Sequence, residues 1–285
     1  MKWDATRRVY VNDRGREIPA SDLREYIDDY IVSNQQEVDR KTEELLAGAI
    51  TVGVFFLFMR ELLQSMHGTA GILAYGGEDN VNWDRIRDKL NSELSYLEGF
   101  EAQVLRSQLA TESLAADAAA LIARNAEVPA GLEAVVEEKV AQALIAGTST
   151  DEAIAGAIAD SVGKETAEQI AASVAGDVLD TRMADLIWGQ VGSRARMYPE
   201  SVYATYENSV KDRETGAGAI GVRRVTEEDK DVCDPCEQAA TDEYVGMDEI
   251  TDIGTDCEGM SNCRCHYEFS YLNVEPLEID REIYA

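Results

Sequence analysis

All five cysteines of this 285-residue chain lie between Cys233 and Cys265, and that stretch is where chemistry is concentrated. It reads Cys233-Asp-Pro-Cys236, then twenty residues, Cys257, five residues, and Cys263-Arg-Cys265-His266. Thiolate and imidazole donors delivered as two close pairs are what a tetrahedral structural zinc site needs, because each pair folds around the ion as one knuckle. Cys233 and Cys236 make the first knuckle, with Pro235 stiffening the turn between them. The second draws two ligands from Cys257, Cys263, Cys265 and His266. On an extended strand Cys263 and Cys265 share a face and His266 takes the other.

Three other chemistries compete for these thiols. Disulfides would leave one cysteine over, and nothing else in the chain looks secreted. A thioredoxin-type pair at Cys233/Cys236 would need a preceding strand, a following helix and a cationic setting to lower the thiol pKa. Asp231, Asp234 and Glu237 supply the opposite charge. A zinc deaminase requires P-C-x-x-C with an upstream H-x-E, and neither is present. A metal-stapled module is the reading the spacing favours.

The elements that must position this cluster come from a chain with a helical pattern. Residues 1–20 read as an extended arm. Its polar, mixed-charge start, Met1 to Pro19, predicts no cleavable signal. Ser21 is the expected N-cap of a helix carrying Leu23, Ile27, Tyr30/Ile31 and Val38. That helix is expected to run through the charge-free segment Leu45–Met59 and end near His67-Gly68, with His67 as a C-terminal dipole partner. The apolar segment, around 45–59, is shorter than the roughly 20 residues a membrane span needs. Burial on all sides, by its own chain or by neighbouring subunits, is therefore the expectation, with contact to a membrane as the minor alternative. Gly71 to Asn82 reads as a loop. Trp83, Ile86, Leu90, Leu94, Leu97, Val104 and Leu105 then mark a long helix, with Gly99 as the place to bend and Pro129 closing its alanine-rich end.

Shorter helices follow. One lines up Leu132, Val135, Val136, Val140 and Leu144 and stops at Gly147; the next opens with Ser149-Thr-Asp-Glu152 in capping-box form; a third carries Ile170 to Val191. The carboxylates of residues 20–210 are assigned to solvated faces, and no catalytic grouping emerges there. After the Gly216-Ala-Gly218 break the pattern changes. Ile220–Val225 reads as a strand, Tyr244-Val245 as a short one, and Tyr267, Phe269 and Tyr271 as a strand with an aromatic face. The fold class is thus mainly α: a multi-helix body over 21–215, then a small α+β domain over 217–271 stapled by a Cys-rich, zinc-knuckle-like site. Residues 272–285 form an extended tail. A lobe of about 55 residues is small for a self-sufficient core, which gives a metal staple a physical reason.

Charge narrows the partners. Fifty-five acids against 26 bases leave a formal net charge of −29, and only seven of the bases are lysines. That balance disfavours a basic nucleic-acid surface and docking on anionic lipid. Acid excess with few lysines fits a salt-loving source, where molar salt cuts the screening length to about 3 Å.

The order of these parts resembles the head-morphogenesis, or minor head protein, family of tailed viruses (phage Mu F-type). The resemblance rests on Asp229-Lys-Asp-Val232-Cys233-Asp-Pro-Cys236 and on Met260-Ser261-Asn262-Cys263-Arg264-Cys265, and more weakly on Gly147-Thr-Ser149-Thr-Asp-Glu152. It covers about 223–271 well, 145–215 weakly, and nothing before. Met260 stands where the family has histidine and cannot replace it as a ligand. With Cys257 as the substitute donor and Cys263 as the fourth ligand, a site of three cysteines and one histidine becomes one of four cysteines; otherwise disulfides close the knuckles or they are vestigial. The candidate ligands are therefore Cys233, Cys236, Cys257, Cys263 and Cys265, with zinc as a structural cofactor. Membership implies a non-enzymatic virion protein in several copies. Made in the host cytoplasm, it would contact the portal or major capsid protein near the portal vertex or inner head, aiding assembly, packaging or ejection. No specific nucleic acid is expected. The alternatives are a zinc-knuckle packaging factor reading nucleic acid through Arg223, Arg224, Arg264, Tyr267 and Tyr271, and a thiol oxidoreductase at Cys233/Cys236.

Overall fold

The computed structural model describes residues 1–7, 9–175, 186–226, 234–240, 243–255 and 265–271. In chain order it contains β1 (Lys2–Asp4), β2 (Val9–Val11), α1 (Ala20–Leu46), α2 (Val52–Tyr75), α3 (Trp83–Arg124), α4 (Glu133–Ala146), α5 (Thr150–Val162), α6 (Lys164–Val174), α7 (Trp188–Gly216), β3 (Ala219–Val225), α8 (Asp234–Ala239) and β4 (His266–Tyr271). The described chain is mainly helical, with a small two-stranded sheet near its C-terminal end. Two compact units divide it: Met1–Gln35, Leu62–Glu93 and Met197–Ala285 form the first, Gln36–Glu61 and Leu94–Arg196 the second. The lobe expected at 217–271 as a separate domain thus groups with residues of α1, α2, α3 and α7.

In the first unit the N-terminal residues are not an extended arm but a hairpin. Asp4 Oδ1 accepts from the N–H groups of Thr6 and Arg7, both at 3.1 Å, which turns the chain. Trp3 then pairs with Tyr10, ring centroids 5.1 Å apart. Tyr10 donates to the Ile72 carbonyl at 3.2 Å. The core beneath gathers Ile27 and Ile31 of α1, Met66, Ala70 and Ala74 of α2, and Val202, Tyr203, Tyr206 and Val210 of α7.

The apolar run is not the middle of one helix. Gly48, at φ 71°, ends α1 in the left-handed region, and Thr51 Oγ1 accepts from Val54 N–H at 3.3 Å to start α2. α2 then passes through His67 and Gly68, the expected stop, and continues to Tyr75. Nor is the run buried on all sides by its own chain. Phe55, Phe56 and Met59 are fully buried, whereas Val54 and Leu57 are half exposed. Among the described residues no helix is long and apolar enough to cross a membrane.

The second unit is a helix cluster around Leu114, Ala118 and Ile122 of α3, Val136 and Val140 of α4, Ile154 and Ile158 of α5, and Ile170 and Val174 of α6. Its punctuation follows the sequence. Gly147 closes α4 at φ 68°, and Ser149 Oγ accepts from Glu152 N–H at 3.2 Å. α3 runs unbroken through Gly99. Phe100, unread in the sequence, stacks edge-on with Phe56 and lies under the Arg194 guanidinium, 4.4 Å from its ring centre. The expected helical residues Val178 and Met183 lie outside the described residues.

Candidate metal centre

β3 and β4 pair antiparallel, with Val222 opposite Phe269, Arg224 opposite Tyr267 and Val225 opposite His266. Val245 adds a bridge to Val222, as the sequence suggested for Tyr244-Val245. Alternation along β3 turns Val222 and Arg224 inward, both almost fully buried. Cys265 directly precedes β4 and is buried; so is Cys236, in the first turn of α8. Pro235 therefore sits at a helix start, where its missing N–H costs nothing, instead of in a free turn. One cluster holds both sulfurs' residues together with Ala204 of α7, Val222, Ile250, Ile253 and Tyr267.

The two halves of the cysteine motif thus contribute Cys236 and Cys265 to one buried cluster. Cys233, Cys257 and Cys263 lie outside the described residues. His266 opens β4 and is half-buried. Among the described residues no group of three or more His, Cys, Asp or Glu side chains could hold a metal ion. The donor chemistry is of a kind that zinc takes: two soft sulfur donors, one from each half of the motif, belong to one buried, mainly apolar cluster.

What seats this cluster is α7, whose residues 201–211 are buried or nearly so on every side. Asn208 takes both main-chain groups of Ile253, donating from Nδ2 to the carbonyl at 2.9 Å and accepting the N–H at 2.8 Å. Lys211 Nζ donates to the Ile250 carbonyl at 2.8 Å and pairs with Asp252 at 3.1 Å. Arg85 holds Asp252 from the other side at 2.7 Å. These contacts fasten the 250–253 segment, the root of the chain leading to Cys257. Glu207 accepts from Tyr267 N–H at 3.2 Å and from Arg24 Nε at 2.8 Å, and Arg24 Nη2 reaches the Tyr267 carbonyl at 3.1 Å. The Tyr267 hydroxyl lies 2.9 Å from Ile253 N and 3.1 Å from the Thr251 carbonyl. Burial pushes the Tyr267 phenol and the Glu207 carboxyl up in pKa.

Glu207 overturns the assignment of all carboxylates in 20–210 to solvated faces: its side chain is fully buried. His67 is corrected as well. It is no helix-end residue but lies in the middle of α2, fully buried, with Nδ1 2.7 Å from Thr205 Oγ1 and Nε2 3.4 Å from Ser201 Oγ. Burial, aided by the Lys89 charge, lowers its pKa to about 3, so it is neutral. The signal for both was the run Ser201-Val-Tyr-Ala-Thr-Tyr-Glu-Asn-Ser-Val-Lys211, in which Ser201, Thr205 and Ser209 recur every fourth residue between aromatics.

The surface needed for nucleic-acid reading is also not what the sequence suggested. Arg224 and Tyr267, two of its five named contacts, are 2% and 1% exposed. Arg223 is engaged by Glu268 across the strands and lies over the Tyr244 ring. Tyr271 is half exposed, and Arg264 lies outside the described residues. The chain matches no family model, no curated protein and no solved structure at a significant level.

Proposed function

We propose that this chain is a minor head-morphogenesis protein of a tailed virus, a non-catalytic helical scaffold carrying a zinc-stapled lobe. One observation carries the reading: Cys236 and Cys265, drawn from separate halves of the motif, enter a single buried cluster seated on α7. Thiols placed in a dry core serve to hold chain segments together and are poorly accessible to a substrate. Zinc would be held by Cys236 and Cys265 with two of the remaining donors among Cys233, Cys257 and Cys263, and would supply cross-linking without redox chemistry. The viral assignment rests on the motif resemblance. The acidic balance supports a halophilic host and contacts to portal or capsid protein in place of DNA.

The oxidoreductase alternative gains one feature, since α8 opens inside the C-x-P-C motif. Burial of Cys236 and the acids Asp234 and Glu237 in the first turn of that helix count against it. Cross-linking of intact particles with peptide mapping tests the main reading. The expected result is cross-links from this chain to the portal or major capsid protein; absence of the chain from purified particles overturns it. Insulin reduction by the purified chain would instead favour the oxidoreductase.

A further inference from the structure

We propose that Arg224 is the buried counter-charge of the thiolate metal centre, a positioning residue that holds the centre without ligating the metal. The proposal rests on the zinc reading above and asks how the charge of such a centre is borne. Arg224 is 2% exposed. Among the described residues its guanidinium donates from Nη2 to the Thr251 carbonyl at 2.7 Å. Its Nε is buried without an acceptor, and among the described residues no carboxylate forms an ion pair with it. A guanidinium does not shed its proton in a protein, so the cation cannot escape burial by becoming neutral. An uncompensated buried charge is strongly unfavourable.

Among the described residues the nearby carboxylates are committed elsewhere. Glu268 pairs with Arg223, Asp252 with Lys211 and Arg85, and Glu207 with Arg24. The neutral Tyr267 hydroxyl shares the Thr251 carbonyl with Arg224. Among the described residues, the cluster on this face brings the sulfurs of Cys236 and Cys265. Arg224 points the same way as Val222, a member of the cluster that holds Cys236 and Cys265. Its register partner is Tyr267, two residues beyond Cys265. Diagonal neighbours across an antiparallel pair stand about 7–8 Å apart, within reach of an arginine. A zinc ion bound by four thiolates is left with a formal double negative charge. A guanidinium beside it lowers that charge and can donate N–H bonds to the sulfurs, as outer-shell groups do at metal centres.

The test uses the full chain, reduced and loaded with zinc, as wild type, Arg224→Met and Arg224→Lys. Zinc retention is measured by competition with a chromogenic chelator, and thermal unfolding is followed with and without zinc. Arg224→Met is expected to lose roughly 10- to 100-fold in zinc affinity. Its metal-free form should unfold no lower than metal-free wild type, because the charge left over without thiolates is gone. Arg224→Lys should recover most of the affinity. A merely structural role predicts the reverse: lower metal-free stability and unchanged zinc retention. Should the Met variant fail to fold, Arg224→Gln replaces it; equal affinity for Lys and Gln variants overturns the proposal. A wild type that holds zinc while folded Arg224→Met holds it equally well sinks this inference alone. A reduced wild type that binds no zinc sinks the metal reading and this inference with it.

Discussion

Arg24 and Glu207, fully 183 residues apart in sequence, form an ion pair at 2.8 Å in which each partner also takes one main-chain group of Tyr267. Among the described residues β4 has a strand on one side only. On its other side, at Tyr267, this pair supplies the donor and acceptor that a neighbouring strand would have offered. Burial raises the Glu207 pKa more than Arg24 lowers it, so the pair by itself stabilises little; its worth lies in satisfying the strand edge.

Removing one partner should therefore be costly. Glu207→Ala is expected to lower the unfolding free energy by about 3–5 kcal/mol, since it leaves a largely buried guanidinium without its anion. An isolated buried pair would be rescued by changing both residues to Met. Here Arg24→Met/Glu207→Met should still lose about 1–3 kcal/mol for each Tyr267 group left unpaired. Urea unfolding checks both values. Full recovery in the double variant would show that the Tyr267 contacts contribute nothing.

Gly76 gives a second test. It has φ 81°, and a Cβ there would meet the Trp3 indole ring at 2.3 Å, with the Arg213 guanidinium 5.4 Å from that ring. Gly76→Ala should displace Trp3 and with it the hairpin, at a cost of about 1–3 kcal/mol for the strained conformation alone. Greater quenching of tryptophan emission by iodide reports the displacement. Unchanged quenching would place the hairpin's anchor elsewhere, at Tyr10 and Ile72.

Much of the second unit could be read from the sequence because its helices alternate one apolar face with a polar one. α4 and α5, with Gly147 and Ser149 between them, need no distant information. Of the thiol motif, whose spacing is likewise local, the described residues include Cys236 and Cys265, both in one buried cluster. α7 was not legible. Between Ser201 and Lys211 it faces two cores, so no stripe stands out, and its polar side chains are satisfied by Arg24, His67 and Ile253 from far along the chain. Arg223 and Arg224 show the limit at single-residue scale. Adjacent residues on a strand take opposite faces, and only the register with β4 tells which is buried.

That docking on α7 changes what metal removal should do. The sequence suggested a lobe that loses its fold without a staple. Asn208, Lys211, Arg24 and Glu207 instead grip β4 and the 250–253 segment without using a metal. After exhaustive chelation under reducing conditions, the amides of β3, of β4 and of Ile253 should keep most of their hydrogen-exchange protection. Cys236→Ser and Cys265→Ser should likewise lose zinc with α7 still protected. Protection falling to the level of an unfolded peptide would restore the metal as organiser of the lobe.

His67 makes stability depend on acid. Ser201 donates to the Tyr198 carbonyl at 2.8 Å, so its oxygen accepts from His67 Nε2–H, leaving Nδ1 to accept from Thr205. The neutral ring is satisfied and the cation is not. With a folded pKa of about 3 against 6.5 unfolded, the contribution is complete above pH 6.5 and is lost as pH falls toward 3. Between pH 7 and pH 4 this one group should remove about 3 kcal/mol of unfolding free energy. His67→Gln, compared with wild type by urea unfolding at both pH values, should lose less over the interval. Parallel losses would mean that other groups carry the acid sensitivity.

The charge balance yields the last test. With 55 acids and 26 bases, like charges crowd the surface, and arginines such as Arg40, between Glu37 and Glu44, offset them only locally. Repulsion of this kind opposes a compact chain, and its range shrinks from about 10 Å at 0.1 M salt to about 3 Å at 1 M. The proposed halophilic setting therefore requires that the melting temperature climb with KCl over that range. Sucrose, which favours burial without screening, should not reproduce the steep early part of the rise. Changing the seven exposed acids on α3 and α4 to Gln or Asn should flatten the salt dependence while raising the melting temperature at low salt. A wild-type melting temperature that stays level with added KCl would make the acid excess a property of composition alone.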